Sequence, residues 1–147
     1  MLAKSQKSDI VNIVVHWSLR DYVEGADSPI EDWYLNDLSI AGKLAFDALL
    51  KNTVKTENHL EWSGFKYPHG ELRRERIWQV VFGADGRQYR VLGVFGSLRK
   101  QAVLLVGCYH KGKVYTPPNA FDTAIKRAKT LREGKAGTRE RKIKFNI

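Results

Sequence analysis

Residues 71–129 read ELRRERIWQVVFGADGRQYRVLGVFGSLRKQAVLLVGCYHKGKVYTPPNAFDTAIKRAK, and the way this stretch divides decides the fold. Ile77 to Phe82 is an apolar run, Gly83-Ala84-Asp85-Gly86 carries two glycines that accept positive φ, and Arg87 to Phe95 is a second strand-like run. Together they predict a hairpin. A further turn over Gly96 to Lys100 leads into a third strand over Gln101 to Tyr109, which completes an antiparallel meander. After Thr116-Pro117-Pro118-Asn119, apolar residues at Phe121, Ala124, Ile125, Ala128 and Leu131 predict a helix from Ala120 to Arg132, ended by Gly134.

Upstream, Ile10 to Trp17 (IVNIVVHW) is short and rich in Val and Ile, which predicts a strand buried on both faces. SLRDYVEGAD then reads as a polar connector. Ser28-Pro29-Ile30-Glu31 has the form of a helix start, with Ser as N-cap, Pro in the first turn and Glu placed to close a capping box. Ile30, Trp33, Tyr34, Leu38, Ala41, Leu44, Ala45, Ala48 and Leu49 continue at helical spacing. Asn36, Asp37 and Ser39 interrupt them, so two helices are expected, near 29–36 and 40–55, with their apolar stripe on the sheet. In the loop from His59 to Gly70, Trp62, Phe65 and Tyr67 are expected to pin the chain to the core. The order predicts one α+β domain over 1–134, in which an N-terminal strand and two helices pack on a small antiparallel sheet completed by the meander and followed by a C-terminal helix. Residues 135–147 read as a basic tail, expected to be mobile until it meets a partner.

The 147 residues carry a formal charge of +9, which favours a polyanionic partner. Its distribution is uneven: residues 1–60 hold six Lys/Arg against nine Asp/Glu, 61–121 hold ten against four, and 122–147 hold nine against three. The basic surface therefore belongs to the sheet and the tail. A single cysteine, Cys108, excludes an internal disulfide, and no apolar run approaches bilayer length, so a cytoplasmic protein without a membrane partner is expected. Phosphate-loop and dinucleotide glycine motifs are absent, and no Ser/His/Asp arrangement stands out. Cys108, His110, His59 and His69 match no usual zinc spacing. No metal or cofactor is expected.

The run 71–129 resembles the RelE/ParE superfamily of small toxins from type II toxin–antitoxin modules, and within it the HigB-like, phage-derived branch. The resemblance rests on the Trp78-to-Phe82 strand, the Tyr89-Arg90-Val91 strand core, Leu104-Leu105-x-Gly107 running into basic residues, the Thr116-Pro117 pair and the basic helix at 124–129. Over about 10–70 the likeness is one of pattern. This chain has Val106 where the branch often has histidine and His110 where it often has lysine, and its link to Pro117 is one residue longer. The resemblance implies a metal-independent, ribosome-dependent mRNA endoribonuclease, silenced by a cognate antitoxin such as a HigA-like helix-turn-helix protein. Two other classes stay open: a non-catalytic inhibitor of DNA gyrase, as in the ParE branch, and a phage-derived RNA-binding module.

Such cleavage needs one proton removed, one delivered, and negative charge held between them. Arg90 matches the family's strand arginine and its guanidinium can fork onto phosphate oxygens; the alternative is an ion-paired strand arginine. His110 can exchange a proton near neutral pH, and Tyr109 and Lys111 flank it. These four are the candidate catalytic residues. Lys113, Tyr115, Arg73, Arg74 and Arg76 are candidate RNA contacts, while Lys126, Arg127, Lys129 and Arg132 read as a solvated helix face.

Overall fold

The computed structural model describes residues 14–143. Among them is a seven-stranded sheet in the order β2-β3-β4-β5-β1-β7, with β6 also paired to β5. Its strands are β1 (Ser18–Val23), β2 (Phe65–Lys66), β3 (Trp78–Ala84), β4 (Arg87–Phe95), β5 (Gln101–Lys111), β6 (Val114–Thr116) and β7 (Gly137–Glu140). Helices α1 (Pro29–Asp37) and α2 (Ile40–Lys55) cover one face; the short α3 (Glu71–Arg74) and α4 (Ala120–Arg132) cover the other. The class is α+β.

The meander forms as its sequence dictates. β3 and β4 join through Asp85 and Gly86, both at positive φ (55° and 71°), the pair of left-handed residues that a two-residue hairpin turn requires. Strand β5 runs two residues beyond its expected end, to Lys111. Trp62, 3% exposed, lies edge-on to Trp17 and Trp78 and fixes the 59–70 loop on the core, with Phe65 and Tyr67 packed beside it.

Four expectations need correction. The strand expected over 10–17 falls partly outside the described residues, and 14–17 form no strand. The strand is instead SLRDYV, expected to be a connector. It runs parallel to β5 and antiparallel to β7, so the sheet is mixed, and Leu19 and Tyr22 enter opposite cores. Tyr22 is fully buried. Segment 137–140, expected in the mobile tail, is the strand that covers the outer edge of β1. At Ser28 no side-chain cap bond forms, and the Glu31 carboxylate pairs with Arg141. In α2 the buried residues are Gly42, Phe46, Leu49, Leu50, Thr53 and Val54, leaving Leu44 66% exposed. The stripe is rotated from the expected one because Phe46, not Leu44, fits between Trp33 and Phe82.

Candidate nucleic-acid interface

A bulge in β5 decides which side chains meet. Leu92 pairs with Val106 but Gly93 pairs with Leu104, so Leu105 is an extra residue and the alternation of β5 reverses beyond it. Ala102 and Leu104 face α1 and α2, yet beyond the bulge Cys108 faces α4. His110 follows Cys108 onto that face, where Arg90 also lies.

Arg90, Tyr115 and Gln79 line a pocket of about 400 Å³ between β3, β4 and α4, with Lys66, His69 and Phe121 around them. Arg90 is half-buried. Its Nη1 donates to Gln79 Oε1 at 2.8 Å, its guanidinium carbon lies 5.7 Å from the centre of the Tyr115 ring, and its buried Nε has no partner among the described residues. Glu71 and Asp122 stand on the pocket wall, but among the described residues no carboxylate forms an ion pair with Arg90. The expected alternative of an ion-paired strand arginine is therefore not what forms. A guanidinium tied to a neutral amide keeps its full charge for an anion in the pocket.

His110 packs on Tyr115 with ring centroids 5.1 Å apart. Its Nδ1 lies 3.0 Å from the carbonyl oxygen of Gly112, which can only accept, so Nδ1 donates, and in the neutral ring the lone pair is on Nε2. Nε2 is buried and has no hydrogen-bond partner among the described residues. Cys108 stands next to Arg90 across the strands, and burial pushes its thiol up to about 11, so it stays protonated at neutral pH. His59 sits on the opposite face in an aromatic cluster, and among the described residues no three metal-ligating groups gather.

The remaining predicted residues divide among other places. Tyr109 and Lys111 lie on the face opposite Arg90, in a concavity with Arg87. Lys113 is exposed in the β5–β6 turn, and Arg74 is exposed on α3. Arg73 and Arg76 border a separate cleft of about 1090 Å³, larger than the Arg90 pocket, between the ends of β4 and β5, α4 and β7. There Glu75 pairs with Arg132 and Lys129, and Arg132 holds the Glu75 carboxyl below its usual range. The size of that cleft does not make it the better site: part of its basic charge is neutralised, whereas Arg90 is not. Arg127, expected on a solvated face, turns inward and donates to Leu105 O at 2.7 Å.

Sequence reasoning missed Gln79 and Arg87. Gln79 had a signal, being the one polar residue in the apolar run IWQVVF, where it is 2% exposed. Among the described residues no helix is long and apolar enough to cross a membrane. Comparison of the chain with protein-family models, curated proteins and solved structures gives no match.

Proposed function

We propose that the chain is a RelE-like toxin of a type II toxin–antitoxin module, a metal-independent endoribonuclease that cuts mRNA on the ribosome. The observation that carries this reading is the Arg90 guanidinium, half-buried, bonded to an amide and, among the described residues, without a carboxylate partner, on the same sheet face as His110. In this reaction the RNA 2′-oxygen attacks the neighbouring phosphorus and the bond to the 5′-oxygen breaks, leaving a 2′,3′-cyclic phosphate and a 5′-hydroxyl. His110 Nε2 accepts the 2′-hydroxyl proton once the groups enclosing it move aside; Arg90 holds the charge on the phosphoryl oxygens; the leaving 5′-oxygen takes a proton from water, and the resulting hydroxide is neutralised by the histidinium proton. Lys66 and His69 at the pocket wall would hold the flanking backbone. A cognate, HigA-like antitoxin would silence the protein in the cytoplasm by covering this basic surface.

One observation favours a second reading, an RNA-binding module without catalysis: His110 Nε2 is enclosed in this conformation. Induced expression of the chain in a bacterial host, with growth followed and mRNA ends mapped, separates the two. Arrest with new 5′-hydroxyl ends inside translated frames is the expected outcome. Arrest without cuts would move the target to gyrase, and normal growth with folded protein would leave the binding module.

A further inference from the structure

We propose that Arg87, Tyr109 and Lys111 form a second single-strand subsite, a stacking platform for a base with an adjoining phosphate contact, on the sheet face opposite Arg90. The inference rests on the RNA reading above and extends it: one strand passes over the edge of the sheet at β6 and is gripped on both faces.

The platform is rooted in the core. Arg87 places its guanidinium carbon 4.4 Å from the centre of the Tyr109 ring. Tyr109 meets Tyr89 edge-on at 5.8 Å, and Tyr89, fully buried, stacks on Phe82 at 5.2 Å with planes 13° apart. A guanidinium lying on a tyrosine leaves its outer face open, and nucleic-acid bases stack on such planes without regard to sequence. Arg87 is exposed, and neither it nor Lys111 forms an ion pair among the described residues. The neighbouring carboxylate, Asp85, is engaged by the hydroxyl of Ser39. Lys111 borders the same concavity, of about 520 Å³, together with Val114, an apolar side chain left 70% exposed.

The strand register joins this platform to the Arg90 pocket. His110 pairs with Tyr115, while Tyr109 pairs with Thr116 and Lys111 with Val114. Alternate residues of two paired strands thus present His110 and Tyr115 on one face and Tyr109 and Lys111 on the other. Strand β6 has three residues and pairs only with β5 among the described strands. The two groups are separated by the thickness of one sheet at its edge. If Arg87 served only to shield the Tyr109 ring from water, its removal would leave RNA binding unchanged.

The test is fluorescence anisotropy of a labelled, single-stranded 2′-O-methyl RNA, which lacks the attacking hydroxyl, with the full chain and its Arg87→Ala, Arg87→Lys and Arg90→Ala forms. Arg87→Ala is expected to weaken binding on the order of ten-fold, the usual effect of losing one stacking partner. Arg87→Lys should keep the salt dependence of the parent but not its affinity, because a lysine keeps the charge and loses the plane. Parent-like binding by a folded Arg87→Ala protein, or failure of the parent to hold the oligonucleotide, overturns the second subsite. The first result leaves the reading of Arg90 untouched, because that reading is judged by message cleavage in a translating extract.

Discussion

The guanidinium of Arg141 lies 3.0 Å from the carboxylate of Asp21 and 3.1 Å from that of Glu31, and it is held over the rings of Tyr34 and Phe46 at 4.9 and 5.6 Å. The Asp21 and Arg141 side chains are 5% and 8% exposed. This one side chain ties the segment after β7 to β1 and α1. Removing it strands a carboxylate inside the protein, and the loss of one partner of a buried pair costs about 3 kcal/mol or more. Arg141→Ala should lower the urea midpoint accordingly, and adding Asp21→Asn should recover part of the loss. Equal midpoints for the single and double variants would show that the pair is not coupled.

The same pair gives a pH dependence with a definite sign. Burial raises the Asp21 carboxyl above its ordinary 3.8, and Arg141 opposes but does not cancel that rise. The folded state therefore binds this proton more tightly than the unfolded chain, so the contribution of Asp21 is greatest below 3.8 and declines as pH rises through its raised value. Without the opposing cation the rise is larger. Arg141→Ala should accordingly lose more stability between acid and neutral pH than the parent, as measured by urea unfolding across that range.

Gly107 is required by packing. A Cβ there would lie 2.3 Å from the Trp33 ring, which is wedged edge-on against Phe46. Trp33 is 6% exposed and anchors α1 to β5. Gly107→Ala must push this helix away or turn the indole, an overpacking cost of about 2 kcal/mol. A lower melting temperature with an altered near-ultraviolet circular dichroism spectrum is expected.

His59 sits edge-on to Phe95 at 4.8 Å and to Phe65 at 5.4 Å. Burial, and then the charge of Lys100, hold its pKa below the ordinary 6.5. The unfolded chain takes up this proton more readily than the folded one, so the stability His59 contributes is complete above 6.5 and is lost as pH falls through the depressed value. His59→Phe should flatten the acid side of a melting-temperature profile. A profile of unchanged slope below 6.5 would show that the imidazole is not the group responsible.

The meander and the last helix were legible because each signal was local: Asp85-Gly86 sets its own turn, and the apolar spacing of 120–132 sets its own face. The strand at 18–23 was not, because Arg20 and Asp21 look like connector residues. Their partners, Thr138 and Arg141, are more than 115 positions away, at separations of 118 and 120. β7 was hidden for the same reason. At the candidate site, the partial burial of Arg90 was readable from its place in an apolar strand. Tyr109 and Lys111, neighbours of His110 in the sequence, lie on the other face of the sheet because adjacent strand residues point opposite ways. The bulge at Leu105, which brings His110 to the face of Arg90, leaves no mark in the amino-acid order.

Under the proposed ribonuclease reading Arg90 holds charge and His110 moves a proton, and their variants separate the two roles. Arg90→Ala should relieve growth arrest and reduce cleavage on the order of 100-fold, the scale of losing one charge-stabilising donor. It also leaves Gln79 Oε1 buried without its donor, at about 1–3 kcal/mol. Arg90→Lys avoids that ambiguity, because an ammonium can still serve the amide while lacking the planar fork that grips two phosphoryl oxygens. Near-parental stability with cleavage well below the parent is expected for it. His110→Gln keeps a polar side chain against Tyr115 and removes the group that exchanges a proton. Slower cleavage in a translating extract, with binding of the 2′-O-methyl oligonucleotide kept, assigns His110 to the proton transfer. Parental cleavage by a folded His110→Gln protein would leave Arg90 as the reactive centre and hand the proton to water.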